Sequence, residues 1–208
     1  MSFSEKTLQV FTDELASKAP VPGGGGAAAL VAAVGASLAS MVGNLTVGKK
    51  KYADVEEDIR VILEKAETLR SELLRLMDAD AEAFAPLAQA YAIPKDDPKR
   101  EETMQSALEK AAEAPLELMR TICRVIDLHK ELLRKGSRLA VSDVGVGAAC
   151  CESALMSASL NVFINTKSMT DRGYAEALNM QADTMLQLYC GMAENICEEV
   201  FRQLRENN

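Results

Sequence analysis

The chain has 208 residues, a net charge of −8, 4 % aromatic residues and no tryptophan. So acidic a balance excludes sequence-independent binding to nucleic acid, which needs a basic surface to displace counterions. Ala, Leu, Met and Glu dominate and alternating β-branched runs are missing, so the length reads as one all-α domain over residues 1–208. Five cysteines (Cys123, Cys150, Cys151, Cys190 and Cys197) are odd in number and lack zinc-type spacing. They read as reduced, mostly buried side chains of a cytoplasmic protein.

The first helix is expected from about Ser4 to Lys18, with Ser2 and Glu5 spaced as a capping box and no cleavable signal ahead of it. From Ala19 to Gly48 no residue is charged, and the stretch opens Pro20-Val21-Pro22-Gly23-Gly24-Gly25-Gly26. A second helix, Gly26 to Gly48, is long enough to cross a bilayer but is mostly Ala, Gly and Ser with few strongly apolar residues. Gly35, Ala39 and Gly43 recur every four residues, a small stripe suited to close helix packing, so a buried helix is the better reading and no membrane is expected. A third helix starts near Asp54, with Val55, Ile59, Ile62, Ala66, Leu69, Leu73, Leu76 and Met77 on a helical stripe and a bend at Pro86. The fourth spans Pro98 to Lys135, bends at Pro115 and stops at Gly136. The fifth, Val144 to Thr166, has Glu152 as its only ionisable acid or base, and the sixth runs from about Asp171 to Arg205. Six helices, two of them long and bent at proline, form the expected bundle. Two helices this poor in charge point to packing as a homodimer.

Gly23, Gly24, Gly25 and Gly26 at a helix N-terminus offer free N–H groups to an anion or a polar ring edge, or simply a permissive entry into a buried helix. Gly43-Asn44-Leu45-Thr46-Val47-Gly48-Lys49 matches GxxxxGK, but Lys50 stands where a magnesium-holding hydroxyl belongs and no strand precedes it. Lys49, Lys50 and Lys51 suit a helix C-terminus; three together also suit a polyanionic substrate tail. Ser153, Ser157, Asn161 and Asn165 form a polar stripe on the fifth helix, to be satisfied by interhelical hydrogen bonds or by a heterocycle. Ser142-Asp143 reads as an N-cap or as a carboxylate base beside a charge-poor helix. Asp78 and Glu82 share one face of the third helix while Asp80 points nearly opposite, so the three do not meet at one site. His129, the only histidine, lies in a polar surface sequence, and no Cys/His cluster suggests a metal.

Pro20–Ala28, Ser40–Tyr52, Asp78–Phe84, Ser142-Asp143 and Asn161–Asn165 together resemble, in order and over nearly the whole chain, the folate cyclodeaminase/cyclohydrolase family. The resemblance implies an all-helical dimer with a folate site near the subunit interface. It further implies hydrolysis of 5,10-methenyltetrahydrofolate to 10-formyltetrahydrofolate without metal or redox cofactor, the tetrahydrofolate derivative being substrate. On this reading Asp143 is the base or cation-stabilising carboxylate, with Asp78 and Glu82 as second candidates. Asn161, Asn165 and Ser142 hold the ring or the water, Gly23–Gly26 wall the pocket, and Lys49 or Lys50 meets a glutamate or polyglutamate tail. Gly26 stands where many relatives have serine, and Val141 where bifunctional relatives have arginine. Formiminotetrahydrofolate cyclodeamination with ammonia release, and folate binding without catalysis, are the alternatives.

Overall fold

The computed structural model describes residues 2–206. Six α-helices carry the fold: α1 (Leu8–Leu15), α2 (Gly24–Asn44), α3 (Glu56–Ala92), α4 (Arg100–Lys135), α5 (Val141–Lys167) and α6 (Arg172–Arg205). Short 3-10 turns at Phe3–Glu5, Lys50–Val55 and Arg138–Ala140 join them, and no strand occurs among the described residues. The N-terminal helix is shorter than its periodicity predicts. Thr7, not Ser2, caps α1, its hydroxyl accepting from the Val10 amide, and the Ser2 hydroxyl accepts from the Ser4 amide. Asp171 caps α6 through the amide of Tyr174, three residues on.

α3 buries the stripe the spacing predicts, with Ile59, Ile62, Ala66, Leu69, Leu73, Leu76 and Met77 all in the core. Pro86 and Pro115 lie inside α3 and α4 without ending either helix. Each proline removes a backbone hydrogen bond, at roughly 3 kcal/mol in an isolated helix. Buried Leu87 and Ala90 beyond the first, and Leu116 and Met119 beyond the second, anchor the continuing turns. α5 starts earlier than expected, so Ser142 and Asp143 lie in its first turn and not ahead of it; Ala140 takes the cap position without a side-chain hydrogen bond.

α2 and α5 run antiparallel at close range. Gly24 lies beside Asn161, Gly35 against Cys151 and the Gly147 carbonyl, and Thr46 Oγ1 accepts from the Ser137 amide at 2.8 Å. A Cβ at Gly35 would stand 2.5 Å from Cys151 Sγ, and one at Gly147 would overlap the His129 ring. Both glycines are therefore demanded by backbone approach. His129 corrects the surface reading: it is fully buried, and its Nε2 donates to the Gly35 carbonyl at 3.0 Å while Nδ1 has no partner. Its local sequence is polar because the neighbouring side chains, not the ring, face solvent.

α2 and α5 are each long and apolar enough to cross a membrane, with 56 % and 50 % of the apolar window buried within the bundle. The other side of the pair is open and largely apolar: Val31, Val34 and Met41 on α2, Leu45 at its C-cap, and Val146, Met156, Leu160 and Ile164 on α5.

Burial drives the His129 pKa down to about 4, only partly offset by the Gly35 carbonyl. The unfolded chain then binds a proton near pH 6.5 that the folded chain refuses, so stability falls as pH drops from 6.5 toward 4. At 1.36 kcal/mol per pKa unit the loss amounts to about 3 kcal/mol. Urea unfolding at pH 7 and pH 4.5 should record most of it, and H129Q should flatten that slope.

Candidate active site

The glycine run sits where a helix N-terminus meets a carboxylate. Gly23 caps α2 with no side chain, so the first amides of the helix lack a local acceptor. Asp80, from the middle of α3, supplies one: its carboxylate packs so tightly on Gly25 that a Cβ there would overlap it. Desolvation raises the Asp80 pKa above the usual carboxylate range, and a hydrogen bond from the Gly26 amide opposes the rise without cancelling it. A carboxyl held between these influences keeps its proton to higher pH than an exposed one and is a candidate for proton transfer.

Around Asp80 lies a cavity of about 300 Å³ bounded by Pro20, Val21 and Gly23–Gly25, by Phe84, Leu87 and Tyr91 of α3, and by Asn161, Ile164 and Asn165 of α5. Asn161 Nδ2 donates to the Ser157 carbonyl at 2.9 Å. Asn165 Nδ2 donates to the Asn161 carbonyl at 2.8 Å and to Ala111 of α4 at 3.0 Å. Backbone carbonyls thus fix both carboxamides, and among the described residues neither side-chain oxygen has a partner. The arrangement offers one carboxylate, two oriented amides and apolar ring faces: a site for a flat, partly polar heterocycle.

The residues singled out from sequence divide into two groups. Gly23, Gly24, Gly25, Gly26, Asn161 and Asn165 come together here. Asp78 does not line the cavity; it ties down the N-terminal segment, accepting from the Phe3 amide at 2.7 Å and the Ser2 hydroxyl at 2.5 Å. Glu82 is exposed, outside the cavity. Ser142 and Asp143 lie 18 and more residues before Asn161, roughly 27 Å along α5 at 1.5 Å per residue. Lys49 and Lys50 stand with them at that far end, where Lys49 Nζ donates to Ser137 Oγ at 3.3 Å and the Arg138 amide donates to the Tyr52 hydroxyl at 3.0 Å. Asp80, Phe84 and Tyr91 are the residues that sequence reasoning did not place here. A signal for Asp80 existed: continuing the stripe Leu69, Leu73, Leu76 by one turn lands on it, a carboxylate at a core-facing position.

Comparison with known proteins adds the lineage. Residues 7–184 match the family model described as formiminotransferase-cyclodeaminase. The chain belongs to this family. A methenyltetrahydrofolate cyclohydrolase of Methylorubrum extorquens is 43 % identical over 199 residues, spanning 94 % of this chain and 96 % of that protein. A formimidoyltransferase-cyclodeaminase of Mus musculus is 34 % identical over 89 % of this chain, which corresponds to only 35 % of the mouse protein. Among solved structures, formiminotetrahydrofolate cyclodeaminase from Thermotoga maritima superposes with a TM-score of 0.83 at 30 % identity, covering 96 % of both chains. The family's bundle is thus shared by relatives named for two reactions on folates.

The glycine contacts can be tested separately from any reaction. G25A forces the Asp80 carboxylate off the helix terminus and should cost about 1–3 kcal/mol, the usual range for overpacking. G26A, whose new Cβ would lie 3.6 Å from Pro22 Cβ, should be neutral or slightly stabilising in thermal unfolding.

Proposed function

We propose that the protein hydrolyses 5,10-methenyltetrahydrofolate to 10-formyltetrahydrofolate. One observation carries the reading: a desolvated carboxyl, Asp80, set against the glycine-built N-terminus of α2 and across a ring-sized cavity from two fixed asparagines. Full-length similarity to a protein named for this reaction supports it.

The methenyl carbon bridges N5 and N10 as a cation, so it is electrophilic without a metal, and the reaction calls for no redox cofactor. Water adds to that carbon and gives up a proton, and the C–N5 bond then breaks as N5 takes a proton. The adduct's hydroxyl loses its proton as the formyl C=O forms, leaving the one-carbon unit on N10 and one proton released overall. In this site ionised Asp80 lies beside the cation, stabilises it and accepts the proton of the attacking water. Asn161 and Asn165 orient the ring or the water, and Phe84 and Tyr91 offer faces to the heterocycle. Asp78 holds the N-terminal segment two residues from Asp80, a positioning role.

Formiminotetrahydrofolate cyclodeamination is the second reading, favoured by the full-length likeness to the Thermotoga protein of that name. It would use the same carboxyl to protonate departing ammonia as N10 closes on the formimino carbon. Loss of the methenyltetrahydrofolate absorbance, run beside an ammonia-release assay on 5-formiminotetrahydrofolate, separates the two. Silence in both assays leaves folate binding alone.

We further propose that the protein is a homodimer, with the open, largely apolar face of α2 and α5 covered by a second copy. The substrate is a folate whose glutamate tail, single or extended, is gathered by basic residues.

D80N should lower methenyltetrahydrofolate turnover at least 100-fold. Its midpoint of thermal unfolding at pH 7 should rise, because a carboxyl with a raised folded pKa opposes folding when ionised. In the wild type, kcat/KM should fall on acidification at a pH above the ordinary carboxylate range, and a pH–rate profile reads this directly. D143N in the same assay settles whether the far carboxylate takes part.

A further inference from the structure

We infer that Pro115 is a positioning residue for the Asp80 cavity. By withholding a helix donor from the Ala111 carbonyl, it lets that carbonyl hold the Asn165 carboxamide with its oxygen toward the substrate. The inference rests on the folate reading above and deepens it by saying how one of the two asparagines is set.

An α-helix pairs each N–H with the carbonyl four residues back, so the donor that belongs to Ala111 is the one at position 115. Proline has none, and its ring crowds that same carbonyl and tips it off the helix axis. In α4 both residues lie inside the bundle: Pro115 is buried and Ala111 is 8 % exposed. A carbonyl left there without a donor is costly. Asn165 of α5 supplies one, its Nδ2 donating to Ala111 at 3.0 Å, the only side-chain hydrogen bond between α4 and α5 among the described residues. The other proline bend provides the contrast. Pro86 frees the carbonyl of Glu82, an exposed residue, where solvent can serve.

The consequence reaches the site, because Ala111 and Asn165 both line the cavity. Asn165 has two side-chain N–H groups, and both are spent on carbonyls, one on Ala111 and one on Asn161 at 2.8 Å. Turning the carboxamide over would set its oxygen against two carbonyl oxygens, so Nδ2 faces the helices and Oδ1 is left for the cavity. The side chain therefore presents an acceptor, which suits an N–H of a reduced pterin ring, and presents it before the ring arrives. An ordinary residue at position 115 would fill the Ala111 carbonyl from within α4 and draw it back toward the helix axis. One proton of Asn165 would then be unheld, and the carboxamide free to turn.

P115A tests this directly, since alanine returns the missing N–H to the best helix-forming side chain. The variant should unfold no earlier than the wild type on heating, while kcat/KM for 5,10-methenyltetrahydrofolate falls roughly tenfold or more. N165A should lose at least as much, and P115A added to N165A should change nothing further, because the residue through which Pro115 acts is gone. A second readout needs no substrate. The side-chain NH2 pair of Asn165, assigned by NMR from its absence in isotope-labelled N165A, should move upfield at one proton and exchange faster in P115A. Wild-type kcat/KM in either P115A or N165A overturns the inference, as does an Asn165 pair that P115A leaves unmoved. Losses that add in the double variant mark Pro115 as ordinary packing and overturn it as well. A wild type inactive on methenyltetrahydrofolate, with the NMR change intact, instead removes the folate reading and leaves the carboxamide held by the freed carbonyl.

Discussion

The contact between α2 and α5 governs the rest of the molecule. It is made at backbone distance, with Gly35 against Cys151 and the Gly147 carbonyl, and it is bridged by His129 of α4, whose ring packs on Gly147 and donates to the Gly35 carbonyl. Because neither glycine can gain a methyl group without overlap, the register of the two helices is set to within a turn. That register decides what stands opposite the first turn of α2, where Asn161 meets Gly24, and what stands opposite its last, where Thr46 meets the Ser137 amide. The buried imidazole is held neutral as a consequence of where it sits, and it serves as a spacer between helices.

The same packing prepares the carboxyl. A helix N-terminus stabilises a negative charge, whereas burial opposes it, and Asp80 is placed where the two compete. On an exposed turn the amide contact would win and the group would be a plain cap. Inside the cavity desolvation is the larger influence, which holds the carboxyl's pKa above the usual carboxylate range. Gly25 is the structural condition for this, since any side chain there would displace the carboxylate.

Much of the architecture was legible in the residues. Helix composition, the α3 stripe from Ile59 to Leu76, the uncharged runs and the Asp171 start of the last helix each follow from local spacing and capping chemistry. Failures of local reading have local causes. His129 looked like a surface residue because Asp127, Lys130 and Glu131 surround it, although its own face of α4 is the core face carried by Val125, Ile126, Leu128 and Leu132. Asp80 was set aside because Asp78 and Glu82 share the more obviously charged face of α3. Yet that charged face is the outer one, where Glu82 meets solvent and Asp78 ties the N-terminus.

The sequence by itself determined the all-helical class, the glycine entry to α2, the family and the residue types of a folate site, because each is written in contiguous motifs or in a 3.6-residue period. Only the tertiary structure decided which carboxylate meets the glycines, because Asp80 lies 55 residues from Gly25 and is brought there by helix register, not by spacing. It also decided that the lysines stand a helix length away from the asparagines, since the antiparallel α2/α5 pair puts the end of α2 beside the start of α5.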